Sequence, residues 1–504
     1  MKKIEGLKQK YPDIKEDLLA VAGDNLVDKG ADLIMYRWLK YLLFFAILFQ
    51  ACHKNEPVDE GTTSILTIFS INDPHGQINN FSKIKYIVDE AELSGNVLVV
   101  SGGDIFSGNP VVDFVDEKGF AMIDLMNRSG FDAAVLGNHE FDYGQAVLKA
   151  RMEQAEFDFI CANADMSASI VPQPDPYTTI SVGNLDVTFL GMVQTSYTSG
   201  AYIPATHPLK LEGISFQQAQ NVINDYATLK EDTESDILVL LSHLGANMDN
   251  YMATNYPYMD LIIGGHSHAI IDDIVNDIPI YQCGANLNYL GKITLTIKDR
   301  ALVSEDFELI NLNTFTEYNS EMALLIDNYN NVPELEEVIG YTGTYLSRGS
   351  NLGCFYTDAL REALNTDVSF QNGGGLRADI DAGDITVREI YEMDPFNNGA
   401  HVYSMRAEDL KRFLGETGAG LNYSGIIIEN DLDGRIIFKR ESGTLISDEE
   451  ILTIGINDYI PAVYKNYFAN PTVSGLTTAE HIIEILRVNP TLPDYSGCNR
   501  YYKY

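Results

Sequence analysis

Five short runs of apolar, mostly β-branched residues, each followed at once by Asp, Asn or His, govern what this 504-residue chain can fold into. The runs are Ile65–Phe69, Val97–Val100, Ala133–Leu136, Ile237–Leu241 and Leu261–Ile263. Near-continuous apolar runs alternating with helical stretches predict strands buried on both faces, hence an α/β fold built in layers. Asp73 and His75 follow the first run, Asp104 the second, Asn138 and His139 the third, His243 the fourth, and His266 with His268 the fifth. In open α/β folds ligands gather outside the carboxyl ends of strands, so distant segments can deliver these side chains to one place.

A lone histidine is ordinarily a surface or satisfied core residue, and that reading is given to His53, His207, His401 and His481. Five of the nine histidines fall in the strand-end segments, which sets those five apart. Three oxygen donors (Asp73, Asp104, Asn138) and four imidazoles (His75, His243, His266, His268), without cysteine, suit Mn, Fe or Zn better than a thiolate site would. Seven donors are too many for one tetrahedral ion. They match two divalent ions sharing one carboxylate, about 3.5–4 Å apart as in two-metal phosphatases. Charge narrows the substrate: 34 Lys and Arg against 72 Asp and Glu give a net −38. Such a chain lacks the basic stripe that a nucleic-acid polymer requires. A small anion is still admissible, because bound cations reverse the local field.

The segments NDPHG (72–76), GGDIFSG (102–108), GNHEFD (137–142), SHLG (242–245) and GGHSH (264–268) resemble, in order and spacing, the calcineurin-like metallophosphoesterases. More narrowly they resemble the 5′-nucleotidase/UDP-sugar hydrolase/2′,3′-cyclic phosphodiesterase family. The resemblance implies a layered β-sandwich flanked by helices. It implies a first metal on Asp73, His75, Asp104 and His268, and a second that shares Asp104 and adds Asn138, His243 and His266. Hydroxide held by the metal pair would attack phosphorus in line, with His139 stabilising the transition state or protonating the departing oxygen. Asp142 would orient the His139 ring, where a plain helix-cap role is the bland alternative.

Around residues 308–340 the composition turns polar, with a connecting helix and Pro333. The expected domains are therefore 64–310 for the metallophosphoesterase unit, 311–338 for a linker with a helix, and 339–504 for a second α/β unit. Within the latter, SRGSNLG (347–353), NGGGLR (372–377) and DPFNN (394–398) resemble the 5′-nucleotidase carboxyl-terminal domain. The resemblance implies substrate contacts from Arg348, Asn372, Gly374, Arg377 and Tyr459, a site between the domains, and a hinge at 310–340. Two departures stand out. No stacking ring follows the PF pair in Gly399-Ala400-His401, and the segment after Asn457-Asp458-Tyr459 lacks the family's glycines and acid.

The amino terminus carries an address. Arg37 and Lys40 precede an apolar run, Tyr41 to Phe49, that ends in Ala51-Cys52. Nine helical residues rise only about 14 Å, against a bilayer core near 30 Å. Residues 35–52 thus read as a signal peptide resembling a bacterial lipobox, with Cys52 lipid-anchored to a membrane on a tether, 53–63. Residues 1–34 read as a mis-assigned start, translation beginning at Met35. The expected location is extracytoplasmic, on the membrane, in the periplasm or at the cell surface. Cys161, Cys283, Cys354 and Cys498 show no paired spacing, so no disulfide is expected.

The reading is a phosphohydrolase that removes phosphate from extracytoplasmic nucleotides with two divalent ions (Mn, Zn or Fe). Its alternatives are a 2′,3′-cyclic nucleotide phosphodiesterase/3′-nucleotidase, thiosulfohydrolase chemistry on the same scaffold, and a non-catalytic nucleotide-binding lipoprotein.

Overall fold

The computed structural model describes residues 63–115 and 117–504. The upstream segment 1–34, the signal peptide 35–52 with Cys52, and the tether up to residue 62 lie outside the described residues, and Thr63 already opens the first strand. The five expected runs are strands: β1 (Thr63–Ile71), β2 (Asn96–Ser101), β3 (Ala133–Val135), β4 (Ile237–His243) and β5 (Leu261–Ile263). Parallel pairing joins β1 to β2 and β2 to β3 in one six-stranded sheet, and β4 to β5 in another. Parallel neighbours bring their carboxyl ends out on the same edge, so one edge of each sheet collects the ligand-type residues.

Side-chain alternation explains why these runs are apolar throughout. Leu66, Ile68, Leu98, Val100, Ala133 and Val135 face Val239, Leu241, Leu261 and Ile263 across a shared layer between the two sheets. The intervening Phe69, Ile71, Val99 and Ala134 pack outward under Phe81, Val88 and Met122, which lie on the helices Phe81–Glu92 and Phe120–Arg128. Leu238, Leu240 and Ile262 do the same beneath Met252 and Ala253 on the helix Ala246–Asn255. Strands buried on both faces cannot carry a polar side of the kind an exposed sheet shows. The result is the expected sandwich of two sheets between helices.

A third six-stranded sheet is built wholly from later residues, with β6 (Val368–Asn372) and β7 (Ile451–Asn457) parallel at its centre. Between the two parts, Ser320–Asn330 is a helix capped by Asn319, whose side chain accepts from Met322 N–H. It docks on the first part through buried Met322 and Ile326 and through Tyr329 Oη donating to Asp124. One layer of buried apolar side chains continues from Phe69 and Ile71 to Phe355, Ile390 and Leu486, so that Thr63–Tyr504 form one compact unit.

One expectation is corrected. Cys354, on α1 (Leu352–Leu364), is disulfide-bonded to Cys498, with Cα atoms 6.5 Å apart. A sequence separation of 144 residues leaves no local spacing to betray it. Cys161 and Cys283 are free and buried.

Candidate metal centre and substrate cavity

All seven expected donors meet at the carboxyl edges of β1 to β5. His75 Nε2 lies 2.9 Å from His268 Nε2, and Asp73 Oδ1 lies 3.5 Å from the same His268 atom. Beside this group, Asp104 Oδ2 lies 3.0 Å from His243 Nε2, while Asn138 Oδ1 lies 3.3 Å from His243 Nε2 and 3.0 Å from His266 Nδ1. The turns that bring them there are sharp. Asp73, His75, Asp104, His266 and His268 all adopt positive φ, between 48° and 76°. Strain of this kind, of order 1–3 kcal/mol per residue, persists where surrounding structure enforces it and concentrates at functional sites. Gly103 is needed among them: at φ +86° a Cβ would stand 2.9 Å from His243 Nδ1.

Hydrogen bonds behind the donors fix which atom of each faces inward. His243 Nδ1 donates to the Gly102 carbonyl at 2.7 Å, leaving Nε2 for the site. Asn138 Nδ2 donates to the Ala205 carbonyl, so Oδ1 points in. Asp104 Oδ1 accepts from His139 N–H at 2.8 Å, freeing Oδ2. Asp73 Oδ2 accepts from Asn72 Nδ2 and, at 2.9 Å, from His266 N–H, which stands 3.2 Å from Oδ1 as well. Such outer partners set tautomer and ring orientation in metal sites.

The electrostatics fit cations. Burial, followed by the Arg377 charge, pushes His268 down to about 4, and burial with the His243 charge does the same to His266. Burial likewise holds His75 well below its ordinary range. These three imidazoles are therefore neutral and offer lone pairs. Burial opposes protonation of His243, yet Asp104 overrides it and raises His243 to about 10. Oxygen and imidazole donors without a thiolate are the set expected for Mn, Fe or Zn.

His139, on a 3-10 turn after β3, is buried beside this centre. Its Nδ1 donates to Asp142 Oδ2 at 2.6 Å, and its Nε2 stands 3.9 Å from Asp104 Oδ2. Burial disfavours the His139 charge, but Asp104 and Asp142 outweigh it and raise the group. Asp142 is more than a helix cap. Ser107 Oγ donates to its Oδ2, Thr206 Oγ1 to its Oδ1, and Lys210 Nζ to its carbonyl. Below Asp104, Glu140 accepts from Ile105 N–H at 2.6 Å and also from the backbone of Asp104 and Gly137.

A cavity of about 410 Å³ opens on this centre and is closed from the other side by residues of the later part of the chain. Asn372, Gly374, Arg377 and Tyr459, the expected substrate-contact residues other than Arg348, line it. Arg377 Nη2 reaches within 3.4 Å of His75 Nε2. Arg348 is placed differently: its guanidinium is held by Asp379 at 3.2 Å and donates to the Arg377 carbonyl at 2.7 Å. It braces the Arg377 backbone and does not line the cavity.

Of the cavity residues outside the expected set, four bear most on the chemistry. Phe396, the aromatic of the PF pair itself, stacks on His139 at 5.7 Å and lies under Arg377 at 5.8 Å. The segment thus places a ring in the cavity wall, at the PF pair itself and not after it. Thr206, His207 and Lys210 arrive on the stretch after the hairpin Ser196–Ile203. His207 is buried in the cavity wall, its Nδ1 accepting from Leu209 N–H and its Nε2 lying 3.4 Å from Asp458 Oδ1. No local motif marks these three, since their meaning depends on where the hairpin docks.

Comparison with known proteins agrees with this geometry. Residues 66–269 match the calcineurin-like phosphoesterase family and residues 336–468 the 5′-nucleotidase C-terminal domain. The Bacillus subtilis trifunctional nucleotide phosphoesterase protein YfkN is 28% identical over 408 residues, covering 69% of this chain but 27% of that protein. The chain thus spans about a quarter of that relative's length. A 5′-nucleotidase of Vibrio cholerae is 24% identical over 444 residues, covering 72% of this chain and 78% of that one. Among solved structures, a 5′-nucleotidase precursor of Thermus thermophilus shares the fold, with a TM-score of 0.74 at 22% identity over 85% of this chain and 97% of that one.

Proposed function

Because the chain carries a calcineurin-like phosphoesterase domain followed by a 5′-nucleotidase C-terminal domain, we propose that it is a metal-dependent phosphohydrolase removing phosphate from nucleotides outside the cytoplasm. One observation carries the reading: seven donors from five strand ends converge, and four of them (Asp104, Asn138, His266 and His268) line a cavity whose opposite wall supplies Arg377 and two aromatic rings. In this reading residues 64–310 and 339–504 act as two domains joined by 311–338.

Asp73, His75, Asp104 and His268 would hold one divalent ion, and Asp104, Asn138, His243 and His266 a second. A pair of such ions supplies Lewis acidity, making water nucleophilic at neutral pH and offsetting the phosphoryl charge. The protein's own groups do the rest. Arg377 offers a planar fork to phosphoryl oxygens. His139, its Nδ1–H anchored on Asp142, keeps Nε2–H directed into the cavity to donate to the departing oxygen or to the phosphoryl group. Phe396 and Tyr459 would flank a nucleobase, at about 0.5–1.5 kcal/mol per stacked pair. Asn372 would hydrogen-bond the same leaving group.

The extracytoplasmic placement is supported by the signal-peptide pattern ending at Cys52 and by the Cys354–Cys498 disulfide, a bond that persists in oxidising compartments. A second reading is hydrolysis of 2′,3′-cyclic nucleotides; the likeness to a protein named a trifunctional nucleotide phosphoesterase supports only a range of nucleotide esters wider than one. Turnover of 5′-AMP, UDP-glucose, 2′,3′-cyclic AMP and bis-p-nitrophenyl phosphate, each with Mn or Zn, separates them. Failure on all four with metals bound would leave a binding protein.

A further inference from the structure

Asn457 ends β7 with its side chain fully buried, and its amide can be oriented without ambiguity. The backbone N–H of Ile460 meets one atom of that amide at 3.0 Å. A backbone N–H only donates, so that atom is Oδ1 and the other is the NH₂. The NH₂ in turn lies 2.7 Å from one atom of the Gln371 amide and 3.0 Å from one atom of the Asn372 amide. Both of those atoms must be acceptors, Gln371 Oε1 and Asn372 Oδ1. Both N–H bonds and the carbonyl oxygen of Asn457 are then engaged, and the NH₂ groups of Gln371 and Asn372 are directed away from it.

The Gln371 NH₂ is directed toward Gly375 and the Asn372 NH₂ toward Gly374, where a Cβ would meet Asn372 Nδ2 alone, at 3.9 Å; both glycines line the cavity. A Cβ on Gly375 would stand 2.5 Å from Gln371 Nε2, 3.1 Å from Asn372 Oδ1 and 3.2 Å from Asn372 Nδ2, so the third glycine of the NGGG segment makes room for both amides. Gln371 Nε2 is buried with no hydrogen-bond partner. Asn372 itself lines the cavity.

We propose that Asn457 is a positioning residue that locks the Asn372 amide with its NH₂ toward the substrate, so that the cavity selects leaving groups presenting a hydrogen-bond acceptor, such as a ring nitrogen or carbonyl of a nucleobase. The inference rests on the nucleotide-hydrolase reading given above. It has a directional consequence. In Asn457→Asp the side chain only accepts, so Asn372 turns to donate to it and offers Oδ1 to the cavity. A leaving group with an acceptor at that point then meets another acceptor.

The test is steady-state kinetics of the Mn-loaded full chain on 5′-AMP and on p-nitrophenyl phosphate, which has no base. Asn457→Asp is expected to raise KM for 5′-AMP about tenfold, the order of one lost hydrogen bond, with kcat within about twofold. Its KM for p-nitrophenyl phosphate should match the wild type. Should Asn457→Asp not fold, Asn457→Ala and Asn372→Ala give the same information as a cycle. Their KM effects on 5′-AMP should fail to add, the double variant being no worse than Asn372→Ala alone. Equal losses on both substrates, additive effects in the cycle, or an unchanged KM for 5′-AMP in folded variants would overturn the assignment. A wild-type enzyme that hydrolyses p-nitrophenyl phosphate but no nucleotide would defeat the functional reading itself, and this inference with it.

Discussion

Arg377 and His75 are 302 positions apart in sequence, yet Nη2 of one lies 3.4 Å from Nε2 of the other. Neither half of the chain can complete the cavity alone: the donors come from the first part, and the cationic fork comes from the second. The site is therefore sensitive to how β6 and the NGGG turn are held against β1.

Replacing Arg377 tests that dependence. Arg377→Ala should reduce kcat/KM for nucleotides by about 10²–10³, the usual cost of removing one donor to developing phosphoryl charge. Bound metal, measured by elemental analysis, should be unchanged. Arg377→Lys should recover only part of the loss, because an ammonium cannot reproduce a two-pronged contact.

The pair His139 and Asp142 gives a different signature. His139→Ala should keep its metals and lose about 10²–10⁴ in kcat, the range for a positioned acid–base group. Thr206→Val removes one of the bonds holding Asp142. It should lower kcat by a smaller factor while leaving KM unchanged. A wild-type kcat in His139→Ala removes that residue from the mechanism.

Buried Asp113 predicts a pH effect on stability away from the metal donors. Its carboxylate accepts from Tyr143 Oη and from Gly108 N–H, but burial dominates and pushes it up to about 7. The native state therefore holds the proton more tightly than the unfolded chain does. This contribution is intact below about pH 4 and declines as pH rises to about 7, with a slope of up to about 1.4 kcal/mol per pH unit for one proton. Asp113→Asn should flatten the pH dependence of Tm between about pH 4 and pH 7 relative to the wild type. Parallel curves for the two proteins would contradict the argument.

The Cys354–Cys498 bond should be worth stability, since it closes a long loop in the unfolded chain. A Cys354→Ser/Cys498→Ser variant should lose about 2–5 kcal/mol. Reductant should lower the wild-type Tm toward that of the variant and leave the variant unmoved.

What could be read in advance followed locality. Asp73, His75, Asp104, Asn138, His243, His266 and His268 sit within a few residues of strand ends, so the apolar runs announce both the sheets and the places where those sheets deliver side chains. Lys210 and Thr206 act on Asp142 from more than 60 positions away and follow a hairpin whose docking no short pattern encodes. Cys354 and Cys498 fail for the same reason. Phe396 stands inside DPFNN, whereas the family pattern places its stacking ring after the PF pair. Arg348 shows the converse: its residue type and place fit a phosphate contact, while its surroundings bind it to Asp379.

Metal content measures the central claim most directly. Active wild-type protein, dialysed and analysed by plasma mass spectrometry, should carry two transition-metal ions per chain. Asp104→Ala, lacking the carboxylate that lies between the two donor groups, should lose both the metal and nearly all turnover. Active wild type with no transition metal, or Asp104→Ala with full metal and full activity, would contradict the account.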